Sequence, residues 1–430
     1  MIATRGRPTH LRVLAGLALR NLQRHARRTL LTASAMILGA GLLIFSFSLA
    51  DGTQEQWIRA GVRMGTGHVT VERPEFRTSR KIEDRLTGEI RDAALRAAAA
   101  AEIAPHVVAV SAKLSINGLA SSAAGARQVR VAAVDPRAES RFGPLDDDPV
   151  EGRYLAPDDR LLAYVGAGLA AGLDLQLGSR FVVQAQDAQG GIAAQLLRVV
   201  GLFRSGVPEI DQSTIHIALS TAGEWLGTRQ DVTSVGVLLA DSTAVDEVAA
   251  ALERALQGPV ERGLARVMAW NEADPALASA IAIDDLGNYV TQLLLFTIIA
   301  FGIMNTVLMS VLHRHREFGV LQALGLTPGQ TGAIVLIEGL ALTAISGCIG
   351  VALGLLGTWY VVGDGLDISS MTGDMTFAGV ALDPVIRPAF RAQRVLQALA
   401  FIAFVGALAS IYPAVRAARI DVTEAMKFDR

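Results

Sequence analysis

A chain that does covalent chemistry carries histidines, cysteines or carboxylates at spacings that bring them to one point. The seven histidines here are His10, His25, His68, His106, His216, His313 and His315. They form no H-E-x-x-H pair for zinc, and no G-x-S-x-G elbow offers a nucleophilic serine. The single cysteine, Cys348, excludes an intrachain disulfide framework and a thiolate metal cluster. The acidic run Asp146 to Asp148, followed by Pro149, lacks the spaced oxygens and glycine turn of a calcium loop and reads as solvated. Gly65-Thr66-Gly67 and Gly190-Gly191 are turn glycines. A P-loop needs a lysine directly after glycine to reach the terminal phosphates. The lysines Lys81, Lys113 and Lys427 follow Arg80, Ala112 and Met426 instead. No catalytic, cofactor-binding or metal-ligating residue is assigned, and the chain is read as no enzyme. If energy drives the protein, that energy arrives through a partner.

Two features remain. Glu338 is the one charged residue inside four long apolar runs, and an ionised side chain at the bilayer centre costs roughly 3 kcal/mol or more without a partner. It lies about 10 Å along its helix from Thr331, so pairing with an arginine of the N-terminal segment is the expected structural role, preferred over proton relay. The second feature is the turn 313–325, H-R-H-R-E-F-G-V-L-Q-A-L-G. It starts basic with Arg314 and Arg316, passes Glu317, and presents Phe318, Val320, Leu321 and Leu324 around Gly319, Ala323 and Gly325. A short helix with an apolar stripe and a charged start suits a groove on another protein; taken alone, it equally suits a basic flank that binds nothing.

The elements that hold these residues are membrane helices. Of the 430 residues, 19% are charged and 51% apolar, against about 25% charged in soluble globules. The runs 30–50, 289–312, 331–363 and 395–412 each suffice for the roughly 20 residues that cross a bilayer. Arginines in short loops favour the cytoplasmic side. They precede the first run (Arg5, Arg7, Arg12, Arg20, Arg24, Arg27, Arg28), follow the second (Arg314, Arg316) and follow the last (Arg416, Arg419). Both termini and the 313–330 turn are therefore expected in the cytoplasm. The predicted order is an amphipathic elbow helix (1–28), a first crossing (29–50), an extracytoplasmic domain (51–285) and a second crossing (286–312). Then come the cytoplasmic turn (313–330), a third crossing (331–363), an outer loop (364–394), a fourth crossing (395–415) and a cytoplasmic tail (416–430). The first run is too long for a cleaved signal peptide and reads as a signal anchor. The elbow reads equally as a helix in the headgroup layer or as a charged flank.

The outer region, roughly 235 residues, is large enough for its own core or for two lobes. Alternating apolar runs predict strands at 68–71, 107–116, 128–134, 180–186, 195–203, 214–219, 232–239 and 265–270. Helices are predicted at 87–101, 166–173, 221–226 and 242–256, and 273–312 reads as one helix running from this α+β domain into the membrane. In the third crossing, Gly347, Gly350, Gly354 and Gly357 give a small-residue face for close helix packing, either within the chain or between copies.

These residues resemble a known family. R-E-F-G-V-L-Q-A-L-G, Ile337-Glu338-Gly339 and the glycine-rich crossing are similar to the permease domain of MacB/FtsX-like ABC transporters, as is the tail P-A-V-R-A-A-R-I-D-V-T-E-A-M-K at 413–427. The tail departs at Val422, where proline is usual, and at Met426, where leucine is commoner. L-R-N-L-Q-R-H-A-R-R-T-L-L-T (19–32), M-G-T-G-H-V-T-V (64–71), G-R-Y-L (152–155) and V-P-E-I-D (207–211) look like the lipoprotein-releasing LolC/LolE-like branch. The resemblance implies a four-helix permease of the bacterial inner membrane with a MacB-like periplasmic core between helices 1 and 2. It also implies a dimer with a second copy or paralogue, a separate ABC ATPase docked on the 316–324 coupling helix, and mechanotransmission to a lipoprotein or another periplasmic partner. No nucleic acid is expected. Drug or peptide efflux with a periplasmic adaptor, or control of an extracytoplasmic partner, are the competing implications.

Overall fold

The computed structural model describes residues 26–65, 67–145, 149–368, 370, 376–377, 380–381 and 384–420. Most of the elbow segment, the Asp146 to Asp148 run and the tail beyond 420 lie outside the described residues. The main elements begin with α1 (Ala26–Met64), β1 (Val69–Glu72), α2 (Gly88–Ala98), β2 (Val107–Ser122), β3 (Gly125–Val134) and α3 (Pro136–Phe142). They continue with β4 (Glu151–Gly152), β5 (Leu162–Gly166), β6 (Arg180–Gln186), β7 (Ile192–Phe203), β8 (Thr214–Ala218) and α4 (Leu219–Leu226). The last are β9 (Ser234–Leu239), α5 (Val245–Ala255), β10 (Arg266–Ala269), α6 (Pro275–His313), α7 (His315–Ala323), α8 (Pro328–Asp364) and α9 (Ala392–Ala418). Two compact units result: Met1–Glu55 with Ile283–Ile368 and Val385–Arg430, and Gln56–Ala282 with Ser369–Pro384. The helices α1 and α6 each carry the chain from one unit to the other without a break.

The first unit is helical. Four helices are long and apolar enough to cross a membrane: Ala33–Met64, Pro275–His313, Pro328–Asp364 and Ala392–Ala418. Large apolar side chains such as Leu293, Ile298 and Phe301 project from its surface, where lipid rather than water must meet them. Inside, small residues set the spacing. A Cβ on Gly339 would run into Ser410, and one on Gly406 into Thr343, so α8 and α9 touch at these glycines. The two hydroxyls donate to carbonyls of their own helices, Thr343 Oγ1 to Gly339 O at 2.8 Å and Ser410 Oγ to Gly406 O at 2.7 Å. Both are thus buried without an unmet bond. At the far end from the turn, Arg394 on α9 lies 3.2 Å from the buried Asp51 on α1.

The second unit is built on one ten-stranded sheet. The long strand β2 organises it: β3 lines one edge along 113–122, while β9 and then β6 occupy successive stretches of the other. Gly118 permits the approach of β6, since a Cβ there would sit 2.7 Å from Gln184 O. From β2 the pairing runs β3, β8, β5, β7, β6 and back to β2, so six strands close into a barrel. Closure leaves no free edge in that ring. Alternate residues fill it: Leu114 and Ile116, Val129 and Val131, Val165, Phe181 and Val183, Leu197 and Val199, Ile215 and Ile217. Of the remaining strands, β4 pairs with β7, and β10-β1-β9 packs α2 and α5 through Val69, Val237, Val248, Leu252, Ile90 and Leu86.

Several expectations need correction. The first helix does not stop near 50 but continues to Met64. The helix read over 273–312 is one continuous helix, but it starts two residues later, at Pro275, after the short helix Trp270–Ala273 ends at Asp274. Asp274 Oδ1 accepts from Leu277 N at 3.0 Å, the N-cap followed by proline at the first helical position that starts a helix. Strand β2 continues six residues past 116, and β5 occupies a stretch for which the pattern gave no strand.

Candidate functional site

The turn between α6 and α8 is held by side chains at every break. Helix α6 ends at His313, whose Nδ1 meets Met309 O at 2.9 Å. Arg314 leaves the helical conformation, and α7 starts again when Phe318 N donates to Arg314 O at 3.0 Å. At the other end Gly325 takes φ +104°, a conformation that favours glycine, and Leu326 N reaches back to Leu321 O at 3.0 Å. Two residues on, Thr327 and Gln330 form a capping box ahead of Pro328, so α8 has a fixed start. Gln322 Nε2 donates to Thr331 Oγ1 at 3.3 Å and ties α7 to α8.

Arg314 is the keystone of this arrangement. Its side chain is 8% exposed, and it lies 2.8 Å from both Glu317 Oε2 and Glu338 Oε2. The guanidinium also sits 4.8 Å over the Phe318 ring. The remaining Glu338 oxygen accepts from Ser310 Oγ at 3.3 Å. The intramembrane carboxylate therefore meets an arginine from the turn, while the side chains of the N-terminal arginines of the expected pairing lie outside the described residues. A planar fork that serves two carboxylates and stacks on a ring is work that lysine could not do. These contacts join the end of α6, the start of α7 and the body of α8 in one knot.

This splits the expected stripe on α7. Phe318 and Gly319 are buried, and Phe318 packs with Ile303, Val307, Val311, Val335 and Ala417, with Leu321 resting on the same cluster. Arg314 likewise points inward. What α7 turns outward is Arg316, Glu317, Val320, Ala323 and Leu324, with Gly325 beyond; Val320 is 45% and Leu324 78% exposed. The sequence reading placed Phe318 and Leu321 with Val320 and Leu324, because residues spaced two to three apart on a nine-residue helix share a side only in part. It also missed that Arg314 answers Glu338. The only signal was an acid in the membrane that required a cation from some nearby segment.

The third-crossing glycines are used within the chain. A Cβ on Gly350 would meet Ala40 Cβ and Ile37 O at 2.6 Å, and one on Gly354 would meet Gly41 O at 2.5 Å. Gly347 faces Ile402 at 3.3 Å, while Gly357 has only Phe45 at 3.8 Å. So α1 lies against α8 at the two central glycines. Among the described residues, no group of three metal-ligating side chains converges.

Comparison with known proteins covers both parts of the chain. Residues 29–255 match the MacB-like periplasmic core domain and residues 290–422 the FtsX-like permease C-terminal domain. The lipoprotein-releasing system transmembrane protein LolC of Neisseria meningitidis is 22% identical over 77% of this chain and 77% of its own length. The macrolide export ATP-binding/permease protein MacB of Sodalis glossinidius is 26% identical over 95% of this chain, which spans 60% of that protein. Among solved structures, the periplasmic region of MacB from Actinobacillus actinomycetemcomitans aligns with a TM-score of 0.35 at 15% identity, over 50% of this chain and 94% of that one.

Proposed function

We propose a function for this chain, which belongs to the MacB/FtsX-like family of ABC transporter permeases: it couples a separate ATPase to extraction of an amphiphilic cargo, a lipoprotein, at the outer face of the inner membrane. The chain is a multi-pass membrane protein with an extracytoplasmic domain. In this reading the termini and α7 face the cytoplasm, the ATPase supplies ATP and magnesium, and a second copy or paralogue completes a dimer. The observation that carries the proposal is the fixed seat of α7. A short helix anchored by a buried ion pair, with Arg316, Val320 and Leu324 turned outward, can transmit a push where a loose loop would absorb it. The unbroken α1 and α6 support mechanotransmission, since a helix passes displacement along its length.

The test is the double variant Arg316→Glu with Leu324→Asp. Both residues lie on the outward side, so the protein is expected to insert at normal levels while losing most co-purifying ATPase and cargo release. Full ATPase retention together with normal release would sink the reading. A second reading, export of a small compound, is favoured by the match to a macrolide exporter over 95% of the chain. Macrolide hypersensitivity of a deletion strain with correctly localised lipoproteins would select it.

A further inference from the structure

The outer face of the barrel carries a cationic cleft that the coupling mechanism does not use. Its floor is made of cross-strand neighbours. Asn117, Arg130 and Thr214 stand side by side on β2, β3 and β8, and Ser115, Ala132 and His216 form the next row. These are the residues that alternate with the inward-pointing core, and the small Ala132 leaves a hollow between the rows. Phe76, Arg80 and the last turn of α1 with Arg63 form the walls of a cavity of about 240 Å³.

Four cations and one carboxylate line this space. The carboxylate is already committed: Glu139 accepts from Lys113 Nζ at 2.7 Å and from Ser111 Oγ at 2.6 Å. Lys113 is thereby neutralised, and three arginines are left in excess. Glu72 lies near Arg80, but Arg77 donates to it at 3.1 Å. Among the described residues, neither Arg80 nor Arg130 has a carboxylate within ion-pair distance. Arg80 is held with φ +52°, a backbone conformation uncommon outside glycine, and caps the Phe76–Ser79 turn with its guanidinium over the Phe76 ring. Strain of this kind is kept where it places a side chain. Burial and then the charge of Arg80 hold the Arg130 guanidinium below its ordinary pKa, so two like charges stand close together.

We propose that this cleft binds a phosphate-type anion, either free phosphate or the phosphoryl group of a lipid headgroup. Guanidinium forks match phosphate oxygens two at a time. The hydroxyls of Ser115 and Thr214 and the Asn117 amide supply further donors around a tetrahedral ligand. A second cavity of about 290 Å³ shares Arg80 and Arg130 and continues along Val62, Trp270 and Leu277. That space accepts what a headgroup carries beyond its phosphate.

The experiment is calorimetric titration of the full chain in detergent with inorganic phosphate and with glycerophosphoethanolamine. Saturable binding of at least one is expected, weakened about tenfold or more by Arg130→Glu and by Arg80→Ala, and less by Arg130→Lys, which keeps charge but loses the fork. Arg180→Ala, on the exposed start of β6, is expected to change nothing. Tighter binding of the glycerophosphodiester, with phospholipid retained by the wild type and lost from Arg130→Glu, identifies a headgroup site. Equal binding of both probes without retained lipid identifies free phosphate. Unchanged melting temperatures show that the variants fold. The proposal is overturned if the wild type binds neither probe, or if folded variants bind as tightly as the wild type.

Discussion

Arg314 shows how far a single side chain can depart from the role its neighbours suggest. It stands in a basic run, yet its contacts with Glu317, Glu338 and the Phe318 ring are nearly all internal. Removing one member of a buried pair leaves the other charge without compensation, at a cost of about 3–5 kcal/mol. Arg314→Ala is therefore expected to lower the melting temperature of the detergent-solubilised protein severely. The double variant Arg314→Ala with Glu338→Ala should be more stable than Arg314→Ala alone, because the orphaned carboxylate is gone. Additive losses in this cycle would refute the coupling. The pair was half legible in the sequence. Glu338 announced that it needed a cation, but its partner lies 24 positions away across two helix breaks, and spacing does not report contacts made by a turn.

At the level of elements, α1 and α8 are held apart by nothing larger than a hydrogen at two points. Gly350→Ala or Gly354→Ala must displace α1 or distort its rotamers, an overpacking cost of about 1–3 kcal/mol. Gly357→Ala places its new methyl 3.8 Å from Phe45 and should be close to neutral. Thermal unfolding of the three variants checks the contrast, and equal losses at all three would show that the glycines serve helix flexibility instead. The four long helices were readable because the hydrocarbon imposes a length and a composition on them. Most barrel strands were readable because inside and outside alternate, as at Val129, Val131 and Ala133 on β3. Strand β5 was not: Ala163, Tyr164, Val165 and Gly166 are all buried, so it shows no alternation. Yet β5 joins β8 to β7, and without it the barrel does not close. The Asp274-Pro275 start of α6 was present in the sequence but was outweighed by the apolar residues around it.

At the scale of the whole molecule, the outer unit carries an acid sensitivity. His216 is buried against Tyr154 and Phe203, and burial, with Lys113 adding to it and Glu139 opposing, holds its pKa down to about 4. A histidine lowered on folding contributes stability in full above its unfolded value near 6.5 and loses it as the pH falls toward 4. The drop amounts to about 3 kcal/mol, from 1.36 kcal/mol per pKa unit. Below this window Glu139 adds to the trend. Burial opposes its ionisation, but Lys113, His216 and the bonds from Lys113 and Ser111 outweigh that, so its carboxyl lies below the usual range. Its contribution is present above about 4.5 and fails only in stronger acid. Hydrogen exchange of β8 peptides in the full chain should therefore accelerate between pH 6.5 and 4 after correction for intrinsic rates. His216→Gln should flatten that slope, and a slope unchanged in the variant would exclude the histidine as its source.

The ion pair in the turn also bears on how the protein is made. Arg314 leaves the ribosome 24 residues ahead of Glu338, and neither charge enters hydrocarbon cheaply alone. If α6 were fixed in the bilayer before α8 arrived, Glu338 would have to cross its first nanometre unaccompanied. The capping at Gly325 and Thr327 keeps the turn short, so a hairpin of α6 and α8 formed before insertion would bring the acid in together with its arginine. The contacts that seat α7 in the finished protein would then also tie the delivery of α8 to that of α6.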